Sequence, residues 1–258
     1  MYRGFNLMLD WYNEASYKAG ELLFVADKVS VRRTLRSFML EDGVLDGSKM
    51  QEHWFPQVEA DIFISHSHKD EKKAIALSGW LHTTFGLKAF VDSCIWGYAD
   101  DLLEKIDRKY CYNEEEGYFN YRDRNYSTSH VHMMLNTALM KMMDKTECLF
   151  FLNTPESLSA NDVINKPTTH SPWIYSEIAT SQIIRQSTPR RRTVEDTRYF
   201  AKGGRIDEQL RIRYEMDLRH LTEINIDDMI EWQDNGRVKG VKALDVFYEL
   251  NPLTMPIL

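Results

Sequence analysis

Trp173 and Glu177 stand four residues apart in the stretch SPWIYSEIA at 171–179. An acid so placed, near the start of a helix, is either an ordinary partner of the helix dipole or a group that faces a ligand. Ser171 suits an N-cap and Pro172 the first helical position. The spacing then predicts a helix on which Trp173 and Glu177 share one face, while Ile174 and Ile178 share another that can bury against a sheet. A single carboxylate in such a position can stabilise a developing positive centre.

Further polar groups follow short apolar runs. ADIFISHS ends in Ser65, His66, Ser67 and His68, with Asp70 beyond; LKAFVDS ends in Asp92 and Ser93; ECLFFLNT ends in Asn153 and Thr154. Ser65, Ser67, His68 and Asp92 are candidate pocket residues, although serines after a strand serve equally well as turn and capping residues. Trp96, in the segment after the second run, either stacks on a base or closes its loop. Trp173 either touches substrate or packs in the core, where its aromatic area is sufficient reason to be. His66-x-His68 with Asp70 invites a metal reading, but nothing completes the ligand set and no metal is expected. His130-x-His132 is equally incomplete, and Cys94 has no histidine beside it in sequence to make it a nucleophile.

The apolar runs at 60–67, 87–93 and 147–154 read as strands, and the segments between them as helices: EKKAIALSGWLHTTFG ending at Gly86, ADDLLEKIDRKY, and VHMMLNTALMKMMDK. Strands alternating with helices predict a parallel sheet covered on both faces, and IFI and LFFL are continuously apolar as buried strands should be. A flavodoxin-like α/β order, 2-1-3-4-5, makes the first and third strands neighbours at a topological switch point, where ligands bind beyond the carboxyl ends. The Glu177 helix follows the third strand, so its first turns belong above that crevice. Residues 1–58 read as an N-terminal helical extension, 59–258 as the main domain, with a core at 60–186, an insertion at about 112–130 and a C-terminal part at 187–258. In that part LRIRYEMDLRHL is a candidate strand, and DDMIEWQ and KALDVFYEL are expected helices. Glu114, Glu115 and Glu116 read as a solvated face; Arg190, Arg191 and Arg192 read as a solubilising loop, with phosphate binding as the alternative.

With 258 residues, 43% of them hydrophobic, the chain can bury a sizeable core. Its formal charge of -7 provides no basic field for nucleic acid. Three cysteines without C-x-x-C spacing argue against a disulfide framework and favour a reducing, cytoplasmic setting. No signal peptide is expected at the N-terminus and no window reads as a membrane span.

DIFISHSHKDE, then AFVDS with a loop and helix, then CLFFLNT followed by SPWIYSEIA, resemble in order and character a TIR (Toll/interleukin receptor) domain, especially the prokaryotic kind, over roughly 60–186. The W-x-x-x-E element of that family corresponds here to Trp173 and Glu177. The resemblance implies cleavage of NAD⁺ as substrate, with no separate cofactor, by a site in which Glu177 is the essential residue. It implies self-association through TIR domains, and a product that is ADP-ribose or a cyclic isomer. Several bacterial relatives of Thoeris type act in anti-phage defence, where such a product signals to a separate effector. The stretch CIWGYAD departs from the family in lacking a proline, and the insertion at 112–130 is long. Two other readings stand beside this one: a non-catalytic TIR scaffold, and an N-ribosyl transferase acting on free nucleosides.

Overall fold

A computed structural model describes residues 1–10, 12–27, 35–160, 167–189 and 214–253, without the side chains at 24–27, 94–97 and 159–160. Along the chain run β1 (Arg3–Met8), α1 (Glu14–Asp27), α2 (Gly47–Trp54), β2 (Ile62–Ser65), α3 (Glu71–Phe85), β3 (Ala89–Val91), α4 (Ser93–Tyr110), β4 (Tyr112–Asn113), β5 (Tyr118–Phe119) and α5 (Tyr121–Lys145). They are followed by β6 (Cys148–Asn153), β7 (Ser159–Ala160), β8 (Pro167–Thr169), α6 (Pro172–Ile183), β9 (Tyr214–Glu215), β10 (Thr222–Ile224), α7 (Ile226–Asn235) and α8 (Lys242–Leu250). These divide into two units: Met1–Leu23 with Glu59–Val91 and Met143–Leu258, and Phe24–Val58 with Asp92–Met142.

The first unit is built on a five-stranded sheet, all parallel, in the order β10-β1-β6-β2-β3. The expected neighbourhood of first, second and third strands is present as β3-β2-β6. The position beyond, foreseen for a later strand, is instead filled by β1, so the order departs from 2-1-3-4-5. This overturns the reading of residues 1–58 as a wholly helical extension. Phe5, Leu7 and Leu9 alternate with period two and are all buried, Phe5 and Leu7 completely. As a strand this segment satisfies the backbone groups along one side of β6, pairing with it from Arg3 opposite Cys148 to Met8 opposite Asn153.

Apolar side chains of α3, α7 and α8 pack together, and with them β1 and β6 on one face of the sheet. Phe5 meets Phe150 edge-on and Phe247 at 4.7 Å between ring centres. Trp232 of α7 lies 4.0 Å from the ring of Phe85 and 4.2 Å from that of Phe247, and its indole N–H donates to Ala243 O at 2.9 Å. As expected from the sequence, Gly86 ends α3 in the left-handed region, φ 71°. Gly20 and Gly79 serve a different purpose. A Cβ at Gly79 would strike Ser16 O and the Gly20 backbone, and one at Gly20 would strike Ile75 O, so the backbones of α1 and α3 cross in contact. Gly79→Ala is therefore expected to destabilise this unit by about 3 kcal/mol, since rigid backbone has to move. Gly86→Ala, which meets only an unfavourable φ, is expected to cost about 1 kcal/mol. Paired urea melts of the two variants check the ranking.

In the second unit, Asp46 caps α2 by accepting from Lys49 N, and Met50, Trp54 and Phe55 are buried. Buried Asp107 of α4 accepts from Arg124 Nε at 2.9 Å and Ser127 Oγ at 2.5 Å, which ties α4 to α5. The expected loop CIWGYAD is helical, lying within α4; having no proline, it offers nothing to stop the turn. The expected insertion at 112–130 is a β4-β5 hairpin followed by the first turns of α5, which starts at Tyr121 because Asn120 Oδ1 accepts from the N–H groups of Arg122 and Asp123. Glu114, Glu115 and Glu116 are exposed. The helices expected at DDMIEWQ and KALDVFYEL are α7 and α8. Of LRIRYEMDLRHL only residues 214–221 are described; they include the two-residue β9, and the sheet strand begins at Thr222. Arg190, Arg191 and Arg192 lie outside the described residues. Among the described residues no helix is long and apolar enough to cross a membrane.

Candidate functional site

Local chemistry sets α6 in place. Ser171 Oγ accepts from Ile174 N, Pro172 occupies the first turn, and Ile174 and Ile178 are buried to 0% and 1% exposure. One turn on from Trp173, Glu177 is turned inward as well, at 2% exposure. Its Oε2 accepts a hydrogen bond from Ser65 Oγ at 2.6 Å, linking residues 112 positions apart in sequence. Ser65 is the last residue of β2, fully buried, so the acid sits at the carboxyl edge of the sheet beside β2. A hydroxyl so close to a carboxylate is a charge-assisted donor, which fixes one oxygen and the direction of the other.

His66 follows directly and is fully buried. Burial pushes its imidazole below the ordinary value of 6.5, and the charge of Glu177 nearby opposes that shift without overcoming it. At neutral pH His66 is therefore neutral. The unfolded chain protonates His66 first as the pH falls through 6.5, so the stability present above that pH is progressively lost below it. His220, pushed down to about 4, has the same sign. The His66 share is therefore read by difference: the fall in urea midpoint between about pH 7.5 and 5.5 is expected to be smaller in His66→Asn than in the wild type.

The turn after β2 is held by a second polar cluster. Asp70 is ion-paired with Lys73 at 2.9 Å and accepts from Thr154 Oγ1, at the end of β6, at 2.5 Å. Ser157 Oγ donates to Leu152 O at 2.7 Å and accepts from Thr154 N. These bonds join the carboxyl ends of β2 and β6, the crevice the sheet order marks out. They also commit Asp70 elsewhere than to the two histidines, and among the described residues no group of three His, Cys, Asp or Glu is placed to hold a metal.

Of the sequence-predicted site residues, the structure brings Ser65 and Glu177 into contact. Ser67 is half-buried at the N-cap of the short turn His68–Asp70 but makes no capping bond, and His68 is exposed. Trp173 is half-buried. Asp92 is fully buried at the N-cap position of α4, in the second unit, and Trp96 lies in the same helix with its side chain outside the described residues. Sequence reasoning passed over Asn6, a buried amide on β1, because its segment was read as helix. Thr154 was noted only as a polar strand end, and Asp70 only as such an end and beside the two histidines; their pairing with each other depends on β2 and β6 being adjacent.

On the opposite face of the sheet a cavity of about 200 Å³ is lined by α1, α3 and α7, with Leu7, Leu77, Trp80 and Met229 among its walls. Among the described residues no carboxylate or histidine lines it. Compared with family models, curated proteins and solved structures, the chain matches none.

Proposed function

We propose that the chain cleaves the bond between nicotinamide and ribose in NAD⁺, with Glu177 as the catalytic carboxylate. The observation that carries this reading is the buried Glu177 carboxylate held by Ser65 at the carboxyl edge of β2. Nicotinamide in NAD⁺ is cationic. As the C–N bond breaks, its electron pair passes to the ring nitrogen and the base leaves neutral, so no proton donor is required. Ordinary glycoside hydrolysis needs a second carboxyl group as acid. A carboxylate held by Ser65 beside a neutral His66 is suited to the first reaction. Glu177 would steady the oxocarbenium-like ribosyl centre and accept its hydroxyl hydrogen bonds. Attack by water then gives ADP-ribose and one proton; attack by a nucleophile of the same molecule gives a cyclic isomer.

At 2% exposure Glu177 is covered, so substrate can enter only when that cover moves. This favours an enzyme that is slow as a dilute monomer and accelerates on self-association. The TIR-like motifs extend the proposal to a cytoplasmic protein of anti-phage defence whose product signals to a separate effector.

The test is chromatography of products after incubating the protein with NAD⁺ at low and high protein concentration. Nicotinamide release that grows more than in proportion to protein is the expected result, and the accompanying peak separates hydrolase from cyclase. Absence of release at every concentration would return the chain to the scaffold reading.

A further inference from the structure

One row of residues in register crosses the sheet from Ser65 on β2, through Phe151 on β6, to Asn6 on β1. Partners in a parallel ladder point to the same face, and the bond from Ser65 to Glu177 identifies that face as the one α6 covers. Phe5, next to Asn6 in sequence, points the other way, onto Phe247 of α8. Asn6 therefore lies two strand spacings, about 10 Å, from Ser65 along the same side of the sheet. Two residues nearer the carboxyl edge on that side, Met8 pairs with Asn153, and Met8 is 48% exposed, so the row ends in solvent.

Asn6 is 4% exposed, and among the described residues its Oδ1 has no hydrogen-bond partner. A buried amide oxygen without a donor opposes folding, so such groups are rare in native chains. The partner of Asn6 on the same face, Phe151, is fully buried and its ring offers the amide no hydrogen bond. An incoming donor would satisfy it.

We infer that Asn6 is the group that recognises the leaving base: its side-chain amide pairs with the ring carboxamide, Oδ1 accepting the carboxamide N–H and Nδ2 donating to the carboxamide oxygen. This rests on the reading of Glu177 as the residue facing the ribosyl carbon, since a ligand anchored there beside β2 extends its base across β6 toward β1. The Glu177 site thus spans two crevices, β2 with β6 and β6 with β1, and the N-terminal strand supplies its specificity.

The experiment uses the full chain and two readouts. Stabilisation by nicotinamide alone is measured by thermal shift for wild type, Asn6→Leu, Asn6→Ala and Glu177→Ala. Turnover of NAD⁺ is compared with that of the dinucleotide whose carboxamide NH₂ is replaced by methyl. Nicotinamide is expected to stabilise wild type and Glu177→Ala but neither Asn6 variant. The preference for the carboxamide substrate, about tenfold or more in wild type, is expected to vanish in Asn6→Leu. NAD⁺ cleavage with an unchanged preference in both Asn6 variants would overturn the inference while the glycohydrolase reading stood. Asn6-dependent binding of nicotinamide without any cleavage would support the inference and sink that reading. A wild type indifferent to nicotinamide would overturn the inference outright. Asn6→Ala keeps the comparison open if the larger leucine prevents folding.

Discussion

Glu177→Gln is expected to lower nicotinamide release by roughly a hundredfold to a thousandfold, the scale on which preorganised electrostatic groups act. The substitution preserves the shape of the side chain and still offers an oxygen to Ser65, whose hydroxyl lies 2.6 Å from the carboxylate in the wild type. What it removes is the negative charge that would balance the ribosyl cation. Because Glu177 is buried, a control for folding is needed, and far-UV circular dichroism with a thermal melt provides it. Ser65→Ala is expected to act in the same direction but more weakly, about tenfold, because it frees the carboxylate without neutralising it. Wild-type rates in a folded Glu177→Gln protein would remove Glu177 from the chemistry, and with it the glycohydrolase proposal.

The largest effect on stability is expected at Trp232. Its ring fills the space between Phe85 and Phe247, it is fully buried, and its indole N–H satisfies Ala243 O. Trp232→Ala leaves a cavity and removes the indole hydrogen bond to Ala243 O, and is expected to cost about 3–5 kcal/mol. Trp232→Phe keeps most of the apolar contact and loses the hydrogen bond, for about 1–2 kcal/mol. Urea melts followed by tryptophan fluorescence and circular dichroism rank the two. Equal stability of wild type and Trp232→Ala would mean that α7 contributes little to this core, contrary to the contact of Trp232 with Phe247, which itself packs on Phe5 and Phe150.

Much of the α/β alternation could be read along the chain because its signals are local. IFIS and CLFFLN are continuously apolar, as strands covered on both faces must be, and Gly86 and Ser171 mark helix ends by their own backbone and hydroxyl chemistry. The placement of Glu177 over the end of β2 was also legible, from helix periodicity joined to the rule for parallel sheets. The N-terminal strand was not. Its period of two was visible in Phe5, Leu7 and Leu9, but the segment ran on into a helical pattern from Glu14 without proline or glycine to divide them.

By itself, then, the sequence determined that strands and helices alternate and that Ser65 and Glu177 belong to one edge of the sheet. Only the tertiary structure decided that β1 lies beside β6 and places Asn6 in a row with Ser65. Which strand fills a given position is settled by pairing and packing between distant segments. Those energies arise when Arg3–Met8 meets Cys148–Asn153, and no local pattern in either segment contains them.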